Sequence, residues 1–117
     1  FFDADDTTNE AGKAFVEGFK AWVAEDNTRI ENNGGTADAI SSVTPCGYDA
    51  YMAAVNAIEA ANSTEGPAIR DALASLNVPG LITGDLSFDE NGDAVKTYAV
   101  IKTIKDGQIV YFSTYNG

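Results

Sequence analysis

The spacing of apolar residues changes once along the chain, near Leu81, and this change limits the folds that the sequence can adopt. Before Leu81, apolar residues recur every three or four positions, which is the period of an amphipathic helix. After it, apolar and polar residues alternate, as in a β-strand with one buried face. The 117 residues are therefore predicted to form helices first and antiparallel strands second, within one domain-sized unit.

Three helices are predicted, at about 8–25, 45–61 and 64–76. The first begins with a capping box between Thr7 and Glu10 and carries an apolar stripe that predicts a core position for Trp22. In the second, Thr44 is a good N-cap and Pro45 suits the first helical position. The segment 26–41, between the first and second helices, is predicted to be a polar loop. The apolar face of the second helix is predicted to comprise Tyr48, Tyr51, Met52, Val55 and Ile58.

Three strands are predicted, at about 84–88, 95–105 and 108–115, and they form an antiparallel meander. Asp106-Gly107 is a strong hairpin signal because a type I′ turn needs positive φ at both central residues. A two-residue turn at this point fixes which residues pair across the hairpin. The predicted pairs are Ile104 with Ile109, Lys102 with Tyr111, and Tyr98 with Tyr115.

Charge and composition exclude several classes of function. Seven basic and eighteen acidic residues give a net charge of −11, which repels phosphate backbones and argues against nucleic-acid partners. The chain contains no histidine, so chemistry that needs an imidazole base or a His-ligated metal is closed to it. Cys46 is the single cysteine, so no disulfide forms within the chain.

Several short motifs follow one another along the chain. They are Gly47-Tyr48-Asp49-Ala50, Ala57-Ile58-Glu59-Ala60-Ala61, Ile69-Arg70-Asp71-Ala72-Leu73, the segment 84–93, Tyr98-Ala99-Val100-Ile101-Lys102 and the segment 105–111. Each motif is weak by itself. Their order and spacing resemble the C-terminal third of the type I periplasmic solute-binding proteins that serve branched-chain amino acid ABC transporters, over nearly the whole chain.

The resemblance implies a fold class and a function. The fold would be α/β, a C-terminal fragment of a two-lobe binding protein, appearing on its own as three helices followed by a three-stranded antiparallel meander. The function would be non-enzymatic: capture of a small amino acid or related solute in the cleft between the lobes, and delivery to a membrane permease, with no cofactor. Such proteins are extracytoplasmic, either periplasmic or anchored as lipoproteins at a Gram-positive surface. A partial lobe exposes apolar faces, so a homodimer of the fragment is a further expected partner.

The resemblance also places the segment Thr44, Pro45, Cys46 and Tyr48 at the ligand cleft, against the apolar end of the solute. This segment lies at a predicted helix start, where free N–H groups favour polar or anionic ligand groups. Tyr48 could stack on the ligand or hydrogen-bond to it. The alternative is that Tyr48 is a core residue, because it shares a helix face with Met52 and Val55.

The sequence suggests three other interpretations, of which the first, a metal site, is disfavoured. The segment 89–93 alternates oxygen-bearing side chains as a calcium loop does, but Ala94 and Val100 stand where such a loop needs glycine and glutamate, so no metal is predicted. A free-standing acidic α+β interaction domain could pair through a strand edge. A hydrolase working with two carboxylates would need one of them in an apolar pocket that raises its pKa.

Overall fold

The structure is a computed structural model that describes residues 2–6 and 8–116. Over these residues the chain forms four helices and five strands. The helices are α1 Glu10–Ala24, α2 Asn27–Asn32, α3 Thr44–Ala61 and α4 Gly66–Ala74, and the strands are β1 Asn77–Leu81, β2 Gly84–Phe88, β3 Ala94–Val95, β4 Tyr98–Lys105 and β5 Gln108–Asn116. Among the described helices, none has the length and apolar character needed to cross a membrane.

The predicted arrangement of three helices and one three-stranded meander is wrong in its details. The strands form two antiparallel sheets, one with the order β1-β2-β3 and one made of β4 and β5 alone. The strand predicted at 95–105 is split, because the chain leaves the extended ladder at Lys96 and Thr97. At the break, the Lys96 ammonium donates a hydrogen bond to the Thr83 carbonyl oxygen at 3.1 Å.

Two further elements, α2 and β1, have no clear signal in the sequence. Helix α2 has only six residues, too few to show an apolar period, and is started by Asp26, whose side chain accepts a hydrogen bond from the Arg29 amide. Strand β1 contains Pro79 and Gly80, which read as a turn. Proline is tolerated there because β1 lies at the edge of its sheet and its pairing with β2 is irregular between Val78 and Leu81.

The starts of α1 and α3 differ from the prediction by one or two residues. The N-cap of α1 is Asn9, whose side-chain oxygen accepts from the Gly12 amide at 2.8 Å, and the predicted cap Thr7 lies outside the described residues. The N-cap of α3 is Val43, with Thr44 and Pro45 as the first helical residues. The Thr44 hydroxyl instead accepts from the Ser41 amide, closing the turn that precedes the helix.

One hydrophobic core lies between α3, α4 and the first sheet. Its buried members are Ala53, Leu76, Val78, Leu81 and Leu86, with Met52, Leu73 and Phe88 packed against them. Helix α3 buries the face Pro45, Asp49, Ala53 and Ala57, at steps of four residues. The predicted apolar face is wrong in part, since Tyr51 is 67% exposed. The small alanines decide this orientation because they let neighbouring elements approach α3 closely.

A second group of apolar side chains lies along α1. Phe15 stacks on Phe19 with ring centroids 5.9 Å apart, and Phe2 meets Phe15 edge-on at 6.4 Å. The core position predicted for Trp22 is wrong, because its side chain is 51% exposed. The Arg29 guanidinium lies 4.2 Å from the Trp22 ring centroid, which gives a cation–π contact at the surface.

Strands β4 and β5 form a hairpin that lies apart from the main core. Asp106 and Gly107 have the predicted positive φ values, and Ile104 pairs with Ile109 as predicted. The predicted pairing of Tyr98 with Tyr115 is wrong: Tyr98 lies opposite Asn116. The register shifts between Ile101 and Lys102, where a bulge places one extra residue on β5.

Polar contacts attach the hairpin to the start of the chain. The Lys102 ammonium lies 2.6 Å from the Asp3 carboxylate, and the Thr114 hydroxyl donates to Asp6 at 3.1 Å. Ile104 and Ile109, at the far end of the hairpin, are 74% and 73% exposed. The radius of gyration is 16.5 Å, against about 13 Å for a compact domain of this length. The chain is therefore elongated and leaves apolar surface uncovered.

Candidate functional site

The first turn of α3 carries the four residues predicted to contact a ligand. Pro45 is fully buried and Thr44 half-buried, whereas Cys46 and Tyr48 are exposed. The Tyr48 ring packs on the Phe15 ring of α1, with the ring centroids 5.8 Å apart. Because 46% of Tyr48 stays accessible, the alternative interpretation of Tyr48 as a core residue is wrong. The structure thus places an aromatic side chain at a helix start, open to solvent on one side. Its role in ligand binding stays a prediction.

A cavity of about 270 Å³ lies between the start of α1, the adjoining ends of β1 and β2, and strand β5. It is lined by Asp6, Thr8, Asn9, Ala11, Gly80, Leu81, Gly84 and Thr114. Residues that are far apart in sequence therefore meet in this cavity. None of these residues is among those predicted from the sequence to form a ligand site.

Asp6 is the acidic group of this cavity and is held by hydroxyl groups. Its carboxylate accepts hydrogen bonds from the Thr8 amide at 2.9 Å, the Thr8 hydroxyl at 2.6 Å and the Thr114 hydroxyl at 3.1 Å. Burial acts to raise the pKa of Asp6, but these hydrogen bonds outweigh it and lower the pKa below its ordinary value of 3.8. Asp6 is therefore an ionised acceptor that joins β5 to the segment before α1.

The carboxylate of Asp49 is the most extensively hydrogen-bonded group of α3. Asp49 is only 5% exposed and accepts from the Ile82 amide at 3.0 Å, the Thr83 amide at 2.8 Å and the Thr83 hydroxyl at 2.7 Å. Ile82 and Thr83 are the two residues of the turn between β1 and β2, and both are buried. Asp49 thus satisfies backbone donors that water cannot reach.

Two further side chains reach the same turn from other parts of the chain. The side-chain amide of Asn9, at the start of α1, donates to the Ile82 carbonyl oxygen at 2.9 Å. The Lys96 ammonium donates to the Thr83 hydroxyl at 2.9 Å and to the Thr83 carbonyl oxygen. We call Asn9, Asp49, Ile82, Thr83 and Lys96 the turn junction. It connects α1, α3 and the segment between β3 and β4.

One signal in the sequence could have revealed the turn junction. Asp49 stands four residues after Pro45 and four before Ala53, on the face of α3 that is buried. A carboxylate on a buried helix face needs hydrogen-bond partners, since an unpaired charge there is strongly destabilising. The partners could not be identified from sequence, because Thr83 lies 34 positions away.

The segment 89–93 and two of the acidic side chains can be compared with the requirements of a metal site and of a general acid. Within residues 2–6 and 8–116, no group of three potential metal-ligating side chains is found. In the segment 89–93, the Asp89 carboxylate accepts from the amides of Asp93 and Asn91 instead, and these hydrogen bonds lower its pKa. The pKa of Asp26 is also lowered, chiefly by the Arg29 amide. A general acid needs a shift in the opposite direction.

Two other cavities lie at α4 and at the corner between α1 and α2. One, of about 710 Å³, lies between α4 and the turn after β2 and includes Ile69, Leu73 and Phe88. The other, of about 200 Å³, lies at the corner between α1 and α2, beside Trp22 and Arg29. None of these three cavities is lined by the predicted ligand-binding residues Thr44, Pro45, Cys46 and Tyr48.

Comparison with known proteins identifies the family. The family described as the receptor family ligand binding region matches residues 6–106 of this sequence. The chain belongs to this family. A leucine-binding protein of Thermotoga maritima, LivK, has a similar solved structure, with a TM-score of 0.64 and 28% sequence identity. The match covers 98% of this chain and 29% of LivK, so the chain spans less than a third of that protein.

The comparisons confirm the resemblance read from the sequence motifs, namely a portion of a type I periplasmic-binding-protein fold. They also account for the small sheets and the elongated shape, which suit part of an α/β fold better than a complete one. No curated protein matches the sequence significantly.

Proposed function

We propose that this chain is part of the solute-binding component of an ABC importer that captures an amino acid of the branched-chain type or a related solute. The supporting observation is the similarity in sequence and fold to a leucine-binding protein, which extends over 98% of the chain. The match to a ligand-binding family over residues 6–106 supports the same conclusion.

In this proposal the first turn of α3 forms one wall of the ligand site. Tyr48 offers an exposed aromatic face to an aliphatic side chain, and its hydroxyl offers a hydrogen bond. Thr44 contributes a hydroxyl group, and Cys46 a small exposed side chain. Pro45 is buried and fixes the direction of the turn, since its ring sets φ before the helix continues. The remaining ligand contacts would come from regions that correspond to the part of LivK outside the match to this chain.

Transport follows from ligand-dependent closure in this proposal. The ligand would favour a closed arrangement of two lobes, and the permease would recognise that arrangement. No bond is made or broken, so the protein is a carrier and no enzyme. The net charge of −11 suits an extracytoplasmic protein that must stay free of anionic membrane surfaces.

Isothermal titration calorimetry on the full-length gene product that contains this chain tests the proposal. L-leucine, L-isoleucine and L-valine are titrated, with L-glutamate as a control of different chemistry. We expect saturable binding of at least one aliphatic amino acid and weaker binding of L-glutamate. Absence of binding for all three aliphatic amino acids would refute the proposed function.

A matched pair of variants tests the site. Tyr48→Ala removes the proposed wall residue, while Tyr51→Ala removes a tyrosine of the same helix that is 67% exposed. We expect Tyr48→Ala to weaken binding of the aliphatic ligand by about tenfold, and Tyr51→Ala to leave it unchanged. Equal effects of the two substitutions would contradict the assignment of Tyr48.

A further inference from the structure

The turn between β1 and β2 is unusual because its two residues are buried. Ile82 is 8% exposed and Thr83 is 3% exposed, although two-residue turns ordinarily lie at the surface and hydrogen-bond to water. Here protein side chains replace the water. Asp49 accepts from both turn amides, and Asn9 donates to the Ile82 carbonyl oxygen.

The same turn is therefore hydrogen-bonded to residues of two helices. Asp49 belongs to α3, and Asn9 is the N-cap of α1. Each helix also carries one ring of the contact between Phe15 and Tyr48, whose centroids are 5.8 Å apart. The hydrogen bonds of Asp49 are thus made one residue further along α3 from the Tyr48 ring contact.

We propose that Asp49 is a positioning residue for Tyr48: by hydrogen-bonding to Ile82 and Thr83 it fixes α3 against the turn that also holds α1, and so sets the placement of the ligand wall. This inference rests on the proposed function of the wall. Asp49 itself is buried, and its carboxylate is occupied by hydrogen bonds from Ile82 and Thr83. The Thr83 hydroxyl completes the arrangement, since it donates to Asp49 and accepts from Lys96.

Thr83 allows a sharper test than Asp49, because valine has nearly the same shape as threonine and lacks the hydroxyl group. Thr83→Val removes the hydrogen bonds of the hydroxyl to Asp49 and Lys96 and keeps the buried volume. Thr83→Ser keeps the hydroxyl group and loses only a methyl group. Glu59→Gln serves as a control for handling and charge, since Glu59 is exposed on the same helix.

The variants are made in the full-length gene product and compared in two measurements. Hydrogen exchange reports the protection of the Ile82 and Thr83 amides, and calorimetry reports the dissociation constant for L-leucine. We expect Thr83→Val to exchange faster at both amides and to bind L-leucine about tenfold more weakly. Thr83→Ser and Glu59→Gln are expected to behave like the wild type in both measurements.

The outcomes separate this inference from the proposed function. Wild-type protein that binds none of L-leucine, L-isoleucine and L-valine refutes the ligand assignment, and the positioning role is then decided by NMR contacts between the Phe15 and Tyr48 rings. If only L-isoleucine or L-valine binds, that amino acid replaces L-leucine in the calorimetry. Loss of these contacts in Thr83→Val, with retention in Thr83→Ser, supports the role. Unchanged ring contacts, or faster exchange with unchanged L-leucine affinity, overturns it.

A second variant keeps the test decisive if Thr83→Val does not fold. Lys96→Met removes the ammonium group from a half-buried position and leaves both amide hydrogen bonds to Asp49 in place. We expect a smaller change in the same direction, namely faster exchange at Thr83 and weaker L-leucine binding. Unchanged exchange and affinity in this variant would overturn the proposal.

Discussion

Gly12 of α1 occupies a position where even one additional carbon atom does not fit. A Cβ placed there would lie 2.9 Å from Cγ and Nδ2 of Asn9 and 3.1 Å from a ring carbon of Phe2. Asn9 cannot move away without loss, because its side chain both caps α1 and donates to the Ile82 carbonyl oxygen. Gly12→Ala is therefore expected to displace Asn9 and to destabilise the chain.

The size of the effect follows from three contributions. Replacing glycine by alanine within a helix stabilises it by about 1 kcal/mol. Loss of the Asn9 cap costs about 1 kcal/mol, and leaving the Ile82 carbonyl group without its partner costs about 1–3 kcal/mol. The net change is a loss of about 1–3 kcal/mol in the free energy of unfolding.

Gly18 provides the matched control, because it lies in the same helix and a Cβ there meets nothing within 4 Å. Gly18→Ala should stabilise the chain by about 1 kcal/mol. Urea denaturation followed by circular dichroism measures both variants. If Gly12→Ala proved as stabilising as Gly18→Ala, the close packing around Asn9 would be refuted.

Three shorter predictions concern pH, Trp22 and the hairpin. The pKa values of Asp26 and Asp89 lie below 3.8 in the folded chain, so the unfolded chain binds more protons as the pH falls below about 4, and stability is lost there. Urea titrations across that range should show this decline, and Asp89→Asn should make it shallower; an identical decline would contradict the argument. Arg29→Ala should make Trp22, the single tryptophan, easier to quench with acrylamide, because the guanidinium that covers its ring is removed; unchanged quenching would count against the contact. Ile104→Thr should change the stability of the chain alone by less than about 0.5 kcal/mol, since Ile104 is 74% exposed, but should cost more in the full-length protein if the remainder of the fold covers it.

The sequence predicts those elements whose signals are local. The four-residue period around Phe15 predicts α1, and Asp106-Gly107 predicts the turn between β4 and β5, because turn geometry depends on the residues within it. The hairpin register is correct next to that turn. It fails at Tyr98, beyond a bulge that no residue type marks.

The elements and contacts that the sequence does not predict depend on partners distant in the chain. Strand β1 contains Pro79 and is extended because it pairs with β2. The break at Lys96 coincides with its hydrogen bonds to Thr83, which belong to the turn junction. The orientation of α3 was predicted from its largest apolar residues, whereas the alanine face is the one that packs, because close approach depends on small side chains.

The candidate site was predicted from a resemblance, and its geometry comes from the structure. The motif containing Tyr48 and Asp49 is one of those that carry the resemblance, and it lies within the family match over residues 6–106. That Tyr48 packs on Phe15 could not be read from the spacing, since the two residues belong to different helices. The roles of Thr44, Pro45, Cys46 and Tyr48 in ligand binding stay predictions.

The decisive experiment is a crystal structure of the full-length gene product grown with an aliphatic amino acid that it binds. We expect electron density for the amino acid with its aliphatic side chain against the first turn of α3, within contact distance of the Tyr48 ring. An amino acid bound at a place remote from residues 44–48, or no bound amino acid at saturating concentration, would overturn the proposed ligand site.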